Sequence, residues 1–394
     1  MKNFVFISPN FPANYWNFCR HLKNNGFNVL GIGDCPYNNL STDLINSVTE
    51  YYKVSSLENY DEVYRAVAFF IFKYGKIDFI ESNNEYWLEQ DARLRTEFNI
   101  TSGFQNKDIE RIKYKSEMKK YYRKAGIKAA RYTIVKSFAG CKKFIAEVGY
   151  PVIVKPDNGV GASDTYKLSN DDELTAFLKK NPKNYIMEEF IDGEINSYDA
   201  IIDSHGNPIF ETGNVTPKSL MDIVNNNEDC IYYILNKPFN DVLEAGRRTV
   251  KAFGVKSRFV HFEFFRLLSD QQIGKKGEVV ALEVNVRPSG GVAPDMMNYA
   301  NSTDVYKIFA DMIAFDKTEV RLGDRFYCAF AGRRDGKKFR YSEQDIVYKY
   351  RNNIKMIERI PDALSSTMGN IMYLATFKTV EEMNTFFGEV LLSD

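Results

Sequence analysis

Two β-rich runs constrain this chain more than any other feature: Phe259 to Leu268, and the stretch leading into Glu283-Val284-Asn285-Val286-Arg287-Pro288. Alternate side chains of an extended strand share a face, so Glu283, Asn285 and Arg287 point one way and Val284 and Val286 the other. Neighbours on one face are spaced by roughly 7 Å, at about 3.3 Å of rise per residue. Turn-forming residues lie between the runs, Ser269-Asp270 and Gly274-Lys275-Lys276-Gly277, so the two are expected to pair as a hairpin. Glu263 of the first run then joins Glu283 and the Asn285 amide on one patch, with the Arg287 guanidinium beside them. Hard oxygen ligands of this kind suit Mg²⁺, which completes its shell with water and substrate phosphates. A half-exposed strand with ordinary solvated polar residues gives the same alternation, so the rest of the chain must decide.

At 394 residues and 45.5 kDa the chain calls for two or three domains. Hydrophobic residues make up 44% and charged residues 26%, a globular composition. Lys plus Arg equals Asp plus Glu at 52 each, so nothing global draws the chain to nucleic acid or membrane. The five cysteines are scattered without a Cys-x-x-Cys pair, which argues against a disulfide framework or zinc cluster. The N-terminal apolar run is too short for a signal peptide and no 18-residue apolar span occurs, so the expected setting is the cytoplasm.

The first hundred residues alternate strand and helix. Phe4–Ile7, Asn28–Ile32 and Ile77–Glu81 read as strands; Tyr15–Asn24, Asp61–Tyr74 and Glu85–Phe98 read as helices. This order implies a parallel, doubly wound sheet. Gly31-Ile32-Gly33 follows a strand but lacks the third glycine of a dinucleotide fingerprint and opens no helix. A basic amphipathic helix, or a broken pair, runs from Asp108 to Ala125. Strands at Tyr132–Val135, Val152–Pro156 and Tyr185–Ile191, with helices near Cys141–Val148 and Asn170–Lys179, make a compact α+β lobe over roughly 130–200. After Gly323 strand and helix alternate in short pieces, and Thr379-Val380-Glu381-Glu382 is a capping box opening the last helix.

Three further segments carry candidate chemistry. Lys155 ends an apolar strand and precedes Asp157-Asn158-Gly159-Val160-Gly161-Ala162-Ser163-Asp164. Small residues let backbone N–H groups approach phosphate oxygens while a lysine supplies a point charge. The Gly-Lys-Ser/Thr ending of a P-loop is absent. Tyr185-Ile186-Met187-Glu188-Glu189-Phe190-Ile191-Asp192-Gly193 sets two carboxylates at a strand end whose backbone edge and apolar walls suit an adenine. Lys115 stands in the basic helix among Arg111, Lys113, Lys119, Lys120 and Arg123, most of which read as a solvated face.

In order and spacing, over roughly residues 1–320, these pieces resemble the ATP-grasp superfamily, especially its carboxylate–amine ligases and biotin-carboxylase-like members. The resemblance implies an α/β and α+β chain: an N-terminal doubly wound parallel-sheet domain over 1–108, then an ATP-grasp domain over 109–322 with two α+β lobes. Within the latter a mobile lobe spans about 130–200, and 323–394 is a small C-terminal α+β extension. Lys115 and Lys155 would contact the α- and β-phosphates, and Gly159, Gly161, Ala162 and Ser163 would belong to a flap over the triphosphate. Glu188 would meet the adenine amino group, while Glu189, Phe190 and Ile191 frame the ring. Glu263 and Glu283 would bridge two Mg²⁺ ions, with Asn285 on the second and Mn²⁺ as an alternative metal. Arg287 would hold the transferred phosphoryl group and the acyl phosphate. A glutamate that many relatives use for the ribose is replaced here by Ile195, with Glu194 or another acid as the substitute.

Candidate substrate contacts are Arg287, Ser289, Gly290, Gly291 and Lys218, with Glu85 and Trp87 as weaker ones. His261, two residues before Glu263, shares its strand face and is either a ligand-orienting group or a satisfied buried histidine. The implied reaction joins a small-molecule carboxylate, an amino acid being one such, to an amine through an acyl phosphate, releasing ADP and phosphate. The alternatives are an ATP-grasp carboxylase or nucleotide-biosynthesis enzyme, and a nucleotide-binding regulator without turnover. No nucleic-acid or membrane partner is expected, and a homo-oligomer is compatible with the sequence.

Overall fold

The computed structural model describes residues 1–159, 164–217, 223 and 228–393. The N-terminal segment forms a four-stranded sheet in the order Glu50–Lys53, Phe27–Gly33, Lys2–Ile7, Phe79–Glu81. All three pairings are parallel. Its strands are near-continuous apolar runs because both faces are covered. Val5, Ile7, Leu30, Ile32 and Ile80 pack with Val63, Val67 and Phe70 of the helix Tyr60–Tyr74. Phe4, Phe6 and Val29 face the opposite core. Gly31-Ile32-Gly33 has a packing explanation, since a Cβ on Gly33 would stand 2.5 Å from the Tyr51 hydroxyl.

One expected helix starts later than the alternation predicts. The helix is Leu88–Glu97, and Glu85 precedes it in a turn at the C-terminal end of Phe79–Glu81. The Ser82 amide and hydroxyl spend themselves on Asp91, at 2.9 and 2.7 Å. Those bonds hold the segment out of helical conformation until Leu88. The basic region is the broken pair, Ile109–Lys113 and Lys115–Lys124, with Tyr114 extended between them at ψ 115°.

The small lobe is a four-stranded antiparallel sheet ordered Tyr132–Ile134, Tyr185–Glu189, Val152–Pro156, Tyr166–Leu168, with the helices Phe138–Val148 and Asp171–Lys179. Both helices begin at side-chain caps, Ser137 and Asn170, that accept an N–H of the first turn.

The remainder is built on one ten-stranded sheet. Arg258–Leu267 pairs antiparallel with Val279–Asn285 on one side and with Gly193–Ile202 on the other. Through Asn214–Thr216 and Cys230–Ile234 the sheet continues into Tyr327–Arg333, Ile371–Phe377 and Ile354–Arg359. The strands after residue 323 thus extend the sheet that carries Glu263 and Glu283. The division at 322/323 is proposed as a boundary in the chain and does not separate two sheets. The capping box at Thr379 and Glu382 opens the helix Val380–Val390.

The N-terminal domain is tied to this body in two ways. Phe18 meets Tyr306 and Phe309 of the helix Val305–Phe315 with ring centroids 4.7 and 5.2 Å apart. Glu81 takes both terminal nitrogens of Arg258 and lies 3.2 Å from Arg95, all three buried. Among the described residues no helix is long and apolar enough to cross a membrane.

The helix Asn240–Phe253 packs on the sheet through Gly246, where a Cβ would fall 2.1 Å from Cγ of Tyr198. Tyr198 is itself stacked on Phe262, next to Glu263, at 5.9 Å. Gly246→Ala should therefore cost about 1–3 kcal/mol through overpacking, despite the better helix propensity of alanine. Urea denaturation checks this, and an unchanged or higher stability would contradict the close packing.

Candidate active site

Glu263 and Glu283 occupy directly opposed positions of adjacent antiparallel strands, and His261 and Asn285 form the next opposed pair on the same face. Opposed residues share a face with Cβ atoms about 4.5–5.5 Å apart. The register shifts between Glu263 and Phe264, a bulge of the kind that re-aims side chains beside functional sites. The expected hairpin therefore forms, with its two carboxylates on one face.

Two like charges at opposed positions repel, so their surroundings must compensate. Lys115 Nζ lies 2.8 Å from Glu283 Oε1 and donates to the Gly159 carbonyl at 3.0 Å. His261 Nε2 is 3.4 Å from Glu263 Oε1, and its Nδ1 is 2.8 Å from Oδ1 of the buried Asp199. Burial opposes charging His261, but Asp199 and Glu263 outweigh it and raise its pKa to about 9. The ring is thus an imidazolium at neutral pH, held between two carboxylates. Burial pushes the Glu263 carboxyl up, yet His261, Arg287 and Lys155 together hold it below the usual range. Glu283 goes the other way: burial raises it, with Glu85 and Glu263 adding to the rise against Lys115.

Across the cleft, Glu188 is gripped by Lys119 Nζ at 2.5 Å and Lys155 Nζ at 2.6 Å. Burial alone would raise the Glu188 carboxyl, but the two ammonium groups bring it down to about 2. Its carboxylate is therefore engaged on the lysine side of the cleft. Lys119 corrects the reading of the basic helix as a solvated face, since it and Lys115 are both buried. Their i, i+4 spacing, which stacks side chains on one helical face, was the available signal. Glu189 turns the other way and pairs with Arg131 at 2.5 Å.

Arg287 leaves the end of its strand towards the N-terminal domain, where Nη2 meets Glu85 Oε2 at 2.6 Å. Its Nη1 donates to the Pro288 carbonyl at 2.8 Å, while the buried Nε has no hydrogen-bond partner among the described residues. Arg287, Lys115, Lys155, Glu188, Glu263, Glu283 and Asn285 all line one cavity of about 710 Å³, a size typical of small-molecule sites. Glu189, Phe190, Ile191, Ser289, Gly290 and Gly291 line it too. Ile195 faces the cavity and the neighbouring Glu194 does not, as strand alternation requires. Gly161, Ala162, Ser163 and Lys218 lie outside the described residues, and Trp87 packs in the N-terminal core.

Part of the wall escaped the sequence reading. Tyr232, Leu364, Thr367 and Met368 also line the cavity. Arg334 holds the helix Asp362–Met368 in place by donating to the Ser365 and Ser366 carbonyls at 3.2 and 2.8 Å. No local motif marks these residues; only the long-range strand pairing brings them here.

The donor set fits Mg²⁺. Glu263, Glu283 and Asn285 offer hard oxygens on one face, and the Asn285 Oδ1 contact to Arg287 is a long 3.4 Å. Among the described residues no three His, Cys, Asp or Glu side chains form a ready-made cage, as expected for an ion that takes the rest of its shell from water and phosphate.

Residues 148–295 match the family model of the ATP-grasp domain. The fold is similar to that of an L-amino acid ligase from Bacillus licheniformis, with TM-score 0.72 and 16% identity over 99% of this chain and 97% of that one. It is also similar to the biotin carboxylase domain of the Hydrogenobacter thermophilus 2-oxoglutarate carboxylase, solved with MgADP and bicarbonate, with TM-score 0.67 and 16% identity over 95% and 86%. At such identities the likeness is one of fold. The carbamoyl phosphate synthase large chain of Sulfurisphaera tokodaii is 21% identical over 263 residues, covering 58% of this chain. The chain spans only 25% of the length of that relative.

Because the folded-state pKa of Glu188 is depressed, its pairing stabilises the protein fully above the ordinary carboxylate value and is lost as pH falls towards about 2. Glu188→Gln should cost about 3–5 kcal/mol at neutral pH, leaving two buried ammonium groups without a counter-charge. The gap to wild type should narrow as pH drops below about 4. Denaturation of both proteins across this range checks it; a gap independent of pH would contradict the ion-pair assignment.

Proposed function

We infer from the ATP-grasp domain of this chain that it is an ATP-dependent ligase, which joins a small-molecule carboxylate to an amine through an acyl phosphate. The observation that carries this reading is the opposition of Glu263 and Glu283 in a cleft that also holds Lys115, Lys119, Lys155 and Arg287. Two carboxylates and an amide suit a divalent cation, and the four basic groups suit a triphosphate and its transferred group.

In this scheme Lys115 and Lys155 contact the α- and β-phosphates, and Lys119 adds a third ammonium. All three now face carboxylates, so a triphosphate competing for them exchanges one anionic partner for another. The adenine lies against Glu189, Phe190 and Ile191. The Glu188 carboxylate is a poor partner for the adenine amino group while two ammonium groups hold it. Glu263, Glu283 and Asn285 would hold Mg²⁺, which when bound neutralises phosphate charge.

A carboxylate is a poor electrophile, and phosphorylation gives it a leaving group. Its oxygen forms a bond to the γ-phosphorus as the bond to the β-phosphate oxygen breaks, and ADP departs. The amine then attacks the acyl carbon. The C–N bond forms, the C–O bond to phosphate breaks, and the amine proton passes to water. Arg287, a partly buried guanidinium in the cavity wall, is suited to hold the acyl phosphate and the oxyanion of the attack.

Incubation with ATP, Mg²⁺ and a pool of amino acids should release ADP and phosphate only when a carboxylate and an acceptor amine are both present. Release of AMP would contradict the acyl-phosphate route, and tight ATP binding without turnover on any pool would favour a regulator. Glu283→Gln should lower metal-dependent turnover by roughly 10²-fold or more; an unchanged rate in a coupled ADP assay would refute its role.

A further inference from the structure

The ion pair between Glu85 and Arg287 sets a negative and a positive side chain next to each other inside the cavity, at 2.6 Å. They come from different domains. Glu85 stands at the C-terminal end of a strand of the parallel sheet, the place where open α/β sheets present ligand-binding groups. Its turn is built with care. Tyr15 donates to the Asn83 carbonyl at 2.8 Å, Asn83 has a positive φ of 52°, and Asn84 Oδ1 takes the Tyr86 amide at 3.0 Å. These bonds fix where the Glu85 carboxylate sits, only 16% exposed.

Arg287 is already oriented by its own Pro288 carbonyl, and its side chain lines the cavity. Glu85 balances the charge of the guanidinium, yet both side chains also line the cavity, where a ligand can reach them. The negative charge adds repulsion to a cleft that already holds Glu263 and Glu283. Such a charge is explained by a cation that binds beside Arg287. An α-amino acid carries its ammonium and carboxylate a hydrogen-bond length apart. An adjacent acid–base pair in the wall matches that zwitterion with its own charges reversed.

Resting on the ligase reading, we propose that Glu85 binds the ammonium group of the carboxylate substrate while Arg287 binds its carboxyl end, so that the activated substrate is an α-amino acid and not a simple carboxylic acid. Glu85 is then a specificity-determining residue supplied by the N-terminal domain, and the cleft is incomplete without that domain.

The test uses the full chain with ATP, Mg²⁺ and hydroxylamine, which traps an acyl phosphate as a hydroxamate. Alanine is compared with propanoate, and leucine with 4-methylpentanoate. Wild type should favour the amino acid of each pair. Glu85→Gln, which keeps a hydrogen-bond acceptor for Arg287, should raise KM for amino acids and lower the amino-to-desamino ratio of kcat/KM by at least about tenfold. Glu85→Asp, which keeps the charge, should retain most of the preference. Thermal melts of both variants report whether the fold is intact.

Equal losses for amino and desamino acids in Glu85→Gln would mean that the residue only positions Arg287, and would overturn the inference while sparing the ligase reading. A wild-type preference for the desamino acids would also overturn it. No hydroxamate and no ADP from any acid would remove the ligase reading, and this inference with it.

Discussion

Cross-strand register sets the chemistry of the cleft. Glu263 faces Glu283 because the Arg258–Leu267 and Val279–Asn285 strands pair with these two residues opposed and share one face. A slip of one residue would send one carboxylate to the other side of the sheet. The apolar residues between them resist such a slip. Phe262, Phe264 and Val284 are buried on the opposite face, against the helix that carries Gly246. The hydrophobic core behind the sheet therefore fixes the position of the acids in front of it, and two like charges stay where repulsion alone would part them.

The same strand links the two domains. Arg258 opens it and reaches Glu81 at the end of Phe79–Glu81 in the parallel sheet. Breaking such a buried pair by removing one partner leaves an uncompensated charge, which is costly. Four residues beyond Glu81, Glu85 reaches Arg287, just past the end of the facing strand and beside Arg258. One buried and one partly buried acid–arginine contact thus tie the N-terminal domain to the sheet. The aromatic contact of Phe18 with Tyr306 and Phe309 closes the far side. This bracing makes it reasonable for a side chain of the first domain to act on a substrate held by the second.

Local periodicity made much of this legible. The alternating strands and helices of the first domain, the hairpin with Glu263 and Glu283, and the lobe strands ending in Lys155 and Glu188 follow from patterns of period 2 and 3.6. Three features did not follow from them. Lys119 is buried because its helix lies across the cleft, and a run of basic residues looks alike whether solvated or enclosed. Glu85 precedes its helix because Ser82 hydrogen bonds to Asp91, a tertiary bond that overrides the helical pattern. Met368 and Leu364 reach the cavity because the strands after residue 323 join a sheet whose pairings span much of the chain.

The basic groups of the cleft each have an acidic partner in the protein: Lys115 with Glu283, Lys119 and Lys155 with Glu188, Arg287 with Glu85. Burial makes an isolated charge expensive and a paired one affordable, so this arrangement lets a highly charged site fold without outside help. It also bears on binding. In the proposed site, a ligand that brings both anionic phosphates and a cation offers the lysines and Glu283 new partners of the right sign. Binding then trades the ion pair at Glu283 for contacts to the cation. A ligand with phosphates alone would strip the lysines from Glu188 and Glu283 and leave carboxylates exposed to one another. On the proposed reading, the charge pattern of the cleft favours nucleotide and cation entering together, and the proposed ammonium contact at Glu85 follows the same reasoning.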